Sequence, residues 1–368
     1  MKNLLINRLF KFFLVVGISI LLTSISKGQE LALVPNFDDA TVSVIDVSSN
    51  SVFDVLNVGN GPISVAWHPG GRRVFVSNRT SQSISVFDFN GTAFSLQTTF
   101  NVGFACVGIS IKPNGGELWI ADDTNGAINV FNTSSPYNLI TTINFPGDNA
   151  WSVEFTPDGT KAIASSPFYT DIAFINTSTY VPNFVTTSLV NGGLGSAISR
   201  DGNRYAVTEA GASTLIEIFD VVTEMDITTI SVGNQPSSAV WSLDNSRLYV
   251  TNFGDNSISV INTNTNTVTN TIPASGLQPN GIDLSSNGNH LYVPLSGSNV
   301  VEVFSTLTET SVSTIPVGLN PVNVGRFIFR IHPIPTLSQW GILVVFLILC
   351  ITGVLSLNHK KKISIKSA

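Results

Sequence analysis

A hairpin that returns seven times at near-constant spacing limits what this chain can fold into. Its clearest copy is Arg247-Leu-Tyr-Val-Thr-Asn252, the turn Phe253-Gly-Asp-Asn256, and Ser257-Ile-Ser-Val-Ile-Asn262. Both runs are rich in β-branched and aromatic residues, and the turn carries the Gly and Asn expected of a tight hairpin. The first run recurs as Leu31–Asn36, Arg73–Asn78, Glu117–Asp122, Lys161–Ser166, Arg204–Glu209, Arg247–Asn252 and His290–Leu295. Anchored on Val34, Val76, Ile120, Ala164, Val207, Val250 and Val293, the copies stand 42, 44, 44, 43, 43 and 43 residues apart. A lone hairpin is marginal in water, so its meaning comes from repetition.

Each period holds two further strand-like runs. One precedes a Pro/Asp/Asn-Gly turn, as at Ile63–Trp67 and Trp151–Phe155; the other ends in a Val-Gly or similar pair, as at Val58-Gly59 and Val232-Gly233. Four strands per unit, a to d outward from an axis, at a period in the low forties predict an all-β, seven-bladed β-propeller of four-stranded antiparallel blades. The array opens on a strand b and ends on a lone strand a at Val322–Ile328. The last strand is therefore expected to pair with Leu31–Asn36 and close the ring, removing its open edge.

Arg73-Val-Phe-Val-Ser-Asn78 and Arg247-Leu-Tyr-Val-Thr-Asn252, each followed by Ser-Ile-Ser-Val, resemble the YVTN-type propeller repeats of bacterial and archaeal surface proteins. The resemblance covers residues 31–328. It implies a surface-exposed propeller of unassigned ligand and no reaction. The unit at Lys161–Asn176 departs most, with Ala-Ile-Ala-Ser-Ser in place of the motif and an unusual Phe168-Tyr169 loop.

The flanks read as targeting segments. Residues 1–28 combine Lys2, Arg8 and Lys11 with an apolar core at Phe12–Leu22, a secretory signal helix expected to be cleaved between Gly28 and Gln29. After the propeller at 29–329, residues 330–341 form a linker with Ile334-Pro-Thr-Leu-Ser-Gln-Trp-Gly341. An apolar run at 341–358 is long enough to span a membrane as a helix. The basic tail at 359–368, with Lys360, Lys361 and Lys362, would stay cytoplasmic. Ile334, Pro335, Thr336, Leu337, Trp340 and Gly341 resemble the IPTL-CTERM sorting signal. That resemblance implies an exosortase-like membrane enzyme that removes the helix and passes the protein toward the cell surface or the extracellular space. Gln339 stands where an acidic residue is common.

Charge narrows the partners. The formal net charge is −6. Setting aside the eight lysines and arginines of the two flanks leaves ten basic residues against twenty-four acids, −14 for the exported part. Such a body repels nucleic acid. Cys106 and Cys350 fall in the propeller and the apolar run, so they offer no disulfide framework. Among the loops expected at one end of the axis, Asp38, Asp39, Asp122, Asp123, Asp148, Asp171, Glu209 and Asp255 face Arg79 alone. Of these, Asp38, Asp39, Asp122, Asp123 and Asp255 are the candidate ligands for a metal, calcium above all. The competing reading makes them turn formers. The a–b turns at the other end mix Arg72, Arg73, Lys112, Lys161, Arg200, Arg204, Arg247 and His290 with acids.

His68, His290, His332 and His359 are scattered, and no Walker loop, nucleophile elbow, His-Glu-x-x-His or haem motif appears, so no cofactor is expected. Trp67, Trp119, Trp151 and Trp241 read as packing between blades. The expectation is a non-catalytic binding or structural module that meets a surface protein or a glycan. The alternative is a metal-dependent hydrolase of the propeller-lactonase type, with its site in the funnel.

Overall fold

The computed structural model describes residues 29–147, 149–331 and Leu347. The signal, the Ile334–Gly341 motif and the apolar run lie outside the described residues, Leu347 apart. Seven antiparallel sheets of four strands follow in chain order. Pro62–Trp67, Arg73–Asn78, Ser83–Phe89 and Phe94–Asn101 form the second blade, strands a to d outward, and the pattern repeats to Thr310–Pro316 in the seventh. Strands b and c are buried on both faces, whereas strand d is largely exposed. This is why the b and c runs carry apolar residues at nearly every position: each is packed between two neighbouring blades. The Trp119 ring, fully buried, meets Phe155 of the next blade at 5.1 Å between centroids. Trp67 meets Phe329 of the closing strand at 5.8 Å.

The repeated Asn has a structural cause. Asn36, Asn78 and Asn252 end their b strands buried, and each Nδ2 donates to hydroxyls five and seven residues on: Thr41 and Ser43, Ser83 and Ser85, Ser257 and Ser259. The glycine of the preceding Val-Gly pair lies against that amide; a Cβ on Gly59 would stand 2.9 Å from the Asn78 side chain. Only glycine permits that approach. In the founding turn it is Asn256 that takes the left-handed conformation (φ 51°), not Gly254.

Basic residues of the a–b turn face clasp blade to blade. Arg73, Lys112, Lys161 and Arg204 each donate to a backbone carbonyl one blade on: Thr133, Thr177, Val221 and Thr263 in turn. Lys161 also pairs with Glu224 at 2.6 Å, and Arg247 with Glu309 at 2.6 Å.

The ring closes as expected in kind but not in register. The paired strand is Ile328–Arg330, against Glu30–Ala32, rather than Val322–Ile328 along the whole of Leu31–Asn36. Upstream, Val322 N–H still reaches Pro35 O and Leu33 N–H reaches Phe327 O. Asn323 N–H bonds Asn280 O in the seventh blade, however, and Val324 N–H bonds Ile63 O in the second. Gly325, at φ 89°, lets the chain turn there. The segment therefore touches its own blade at Val322, ties the two flanking blades together at the axis, and rejoins its own blade from Phe327 on.

Candidate binding site in the central channel

Two cavities lie along the axis, and Val322–Arg326 stands between them: Gly325 lines both. The first, about 380 Å³, opens on the face of the b–c hairpins. Its wall is apolar at Phe37, Ile63, Trp151, Leu194, Phe253 and Val322, with amides from Gln235, Asn280, Asn320 and Asn323 and hydroxyls from Ser237 and Ser238. Among the described residues, none that lines it is an acid, a base, a histidine or a cysteine. Asn323 is 2% exposed; its Nδ2 donates to Gly325 O, and its Oδ1 is buried without a hydrogen-bond partner.

Trp151 packs, as expected, against residues of other blades, the cluster of Ile63, Val107 and Val322, and it has a second role. It lines the funnel, with the Arg79 guanidinium carbon 5.7 Å from its ring centroid. Arg79 is in turn held by Asp123. Beside Trp151 a shallower hollow is formed by Phe168, Val190 and Leu194. Phe168 is 76% exposed and Val190 81%. The divergent fourth unit thus supplies an exposed apolar rim to the funnel.

The five candidate acids are placed apart. Asp122 is buried and accepts from Thr124 N–H, Asn125 N–H and the amides of Asn125 and Asn129. Asp39 accepts from Leu319 N–H and Asp255 from Asn234 N–H, each bond at 2.6 Å. Asp123 pairs with Arg79, and Asp38 is exposed. Among the described residues no three acids, histidines or cysteines come together as a metal site would need. Cys106 is buried and burial pushes its thiol up to about 12, which leaves it inert.

The second cavity, about 420 Å³, opens on the a–b turn face and is lined by Glu154, Arg200 and Arg326 together with Trp67, Phe155 and Phe329. Glu154 accepts from Ser196 Oγ at 3.2 Å and Ile198 N–H at 3.1 Å. Burial nevertheless pushes its carboxyl up to about 7. Burial, then repulsion from Arg326, lowers the pKa of Arg200. Asp283 is wholly buried and accepts from three backbone N–H groups, those of Leu284, Phe327 and Ile328.

Glu154 and Arg326 did not stand out in the sequence, and Arg200 counted only as one basic turn residue among several. The repeat could have exposed two of them. Aligned on the a–b turns, Glu154 falls where other units carry Ala66, Ser110, Ala197 and Val240, and Arg200 where they carry Pro69, Pro113 and Pro157.

No family model and no curated protein matches this chain. Among solved structures, a functionally unknown protein from Desulfotomaculum acetoxidans DSM 771 superposes with a TM-score of 0.70 at 16% identity, over 83% of this chain and 99% of its own. The periplasmic gluconolactonase of Pseudomonas aeruginosa gives 0.68 at 16% identity, over 83% and 99%. Hydrazine synthase of Kuenenia stuttgartiensis gives 0.65 at 19% identity, over 74% and 92%. The shared property is the propeller fold, and fold alone does not carry function.

Proposed function

We propose that this protein is an exported, surface-sorted β-propeller that acts as a non-catalytic binding module and takes a neutral, hydroxyl-rich ligand such as a glycan in its funnel. The observation that carries the reading is the lining of that funnel: aromatic and aliphatic walls with amide and hydroxyl groups, and no titratable side chain among the described residues. Sugars offer apolar C–H faces to aromatic rings and hydroxyls to amides, so the two chemistries match. A lactonase reading would need a general base or a carboxylate metal set at the same place. The export and sorting rest on Lys2–Leu22 and on Ile334–Gly341, both read from sequence.

Calorimetric titration of the full chain with a panel of neutral oligosaccharides tests this. Saturable binding that Trp151→Ala abolishes is the expected result. Turnover of gluconolactone without saccharide binding would replace the proposal with the hydrolase. Mass analysis of the mature chain, ending near the Ile334–Gly341 motif, would test the sorting step.

A further inference from the structure

We propose that the cavity on the a–b turn face is a second, independent binding site, in which Arg200 and Arg326 clamp the carboxylate of a small organic acid whose body lies against Trp67, Phe155 and Phe329. Five other basic residues of that face, Arg73, Lys112, Lys161, Arg204 and Arg247, are spent on clasps between blades. The two arginines at the axis are not. Among the described residues the Arg200 side chain has no hydrogen-bond or ion-pair partner, and its Nε is buried without one. Among the described residues Arg326 has an ion-pair contact with Asp283 alone, at 4.0 Å, the outer limit of an ion pair, and its side chain is 58% exposed. That Asp283 carboxylate is already occupied by three backbone donors.

A planar guanidinium fork with its donors free, at the wall of a hollow, matches a carboxylate's two oxygens. Monoanion is favoured over phosphate because Glu154 lines the same space, and its charge and that of Asp283 would repel a dianion more. The groups that face Glu154 are Arg326, Asp283, Arg200 and Tyr205. Glu154 loses its proton across neutrality, so binding should weaken as pH rises from 6 to 8.

The test is thermal melting and calorimetry of the full chain with sodium benzoate, and with acetate, benzyl alcohol and inorganic phosphate as comparisons. Benzoate is expected to bind best, at least about tenfold more weakly in Arg200→Gln and in Arg326→Gln, since hydrogen bonds to charged groups carry about that much. Arg326 is half-exposed, so its variant is expected to melt as the native protein does without ligand. Glu154→Gln should flatten the pH dependence. Benzoate binding equal in all variants, no binding of benzoate, or phosphate binding more tightly than benzoate would each overturn the proposal.

Discussion

The two cavities of the channel share an axis, a ring of inner strands and one residue, Gly325, yet they are built from opposite chemistry. At the hairpin end the acids look prominent in the sequence, but the structure uses Asp39, Asp122, Asp123 and Asp255 to hold turns and an arginine, and leaves the funnel itself uncharged. At the a–b turn end the charges look ordinary in the sequence. There, five bases are used as clasps, while Glu154, Arg200 and Arg326 are left facing the hollow. Abundance of charge in a loop therefore says little about a site; what matters is whether the backbone has already taken it up.

The largest effect should come from damage to what both ends share. A Cβ on Gly195 would fall on the Ser237 carbonyl oxygen and stand 2.7 Å from Ser238 Cα, both backbone atoms of the adjoining inner strand. Gly195→Ala is expected to cost about 3 kcal/mol or more in urea unfolding, the upper range for overpacking. A variant of native stability would mean that the inner strands do not approach so closely.

A somewhat smaller effect separates the ends. The Glu154 carboxyl ionises near its ordinary 4.5 when unfolded and at about 7 when folded. Between those values the folded chain keeps a proton that the unfolded chain has lost. Its contribution is thus fully present below pH 4.5 and is lost as pH rises to 7, by about 1.4 kcal/mol per unit, or about 3 kcal/mol in all. Glu154→Gln should remove that slope, read as the difference between the two stability profiles. Parallel profiles would show that Glu154 is solvated, and the contrast between the cavities would fade.

The fold was legible because each strand is written seven times: Val76 or Val250 alone proves little, but a fixed period does. The register of closure was not, since Asn323 and Val324 bond to the flanking blades through single contacts that leave no periodic trace. The site was hidden for a related reason. Averaging units to find the repeat suppresses the departures, and Glu154 and Arg200 are departures. Trp151 packs between blades as the other tryptophans do, and its second role at the funnel is not legible because strand position does not say which side chain ends up at the axis mouth.

At the hairpin end, Asp122→Asn replaces one accepting oxygen of a carboxylate that holds two backbone N–H groups and two amides. A loss of about 1 kcal/mol is expected, as for a helix or turn cap, with or without calcium. Should calcium raise the melting temperature of the native chain and not of this variant, the acids are a metal site after all.

The smallest effect belongs to Asp38, exposed and with no side-chain partner among the described residues. As a turn residue of no further use, Asp38→Asn should change stability by less than about 0.5 kcal/mol. The same variant separates two kinds of acidity. If the hairpin face acted through its summed field, removing one exposed charge would slow association of a cationic ligand in a salt-dependent way. If its acids are local braces, association rates should be unchanged while Asp122→Asn alone alters the protein, because a brace matters through the N–H groups it holds and a field through the charge it shows to solvent.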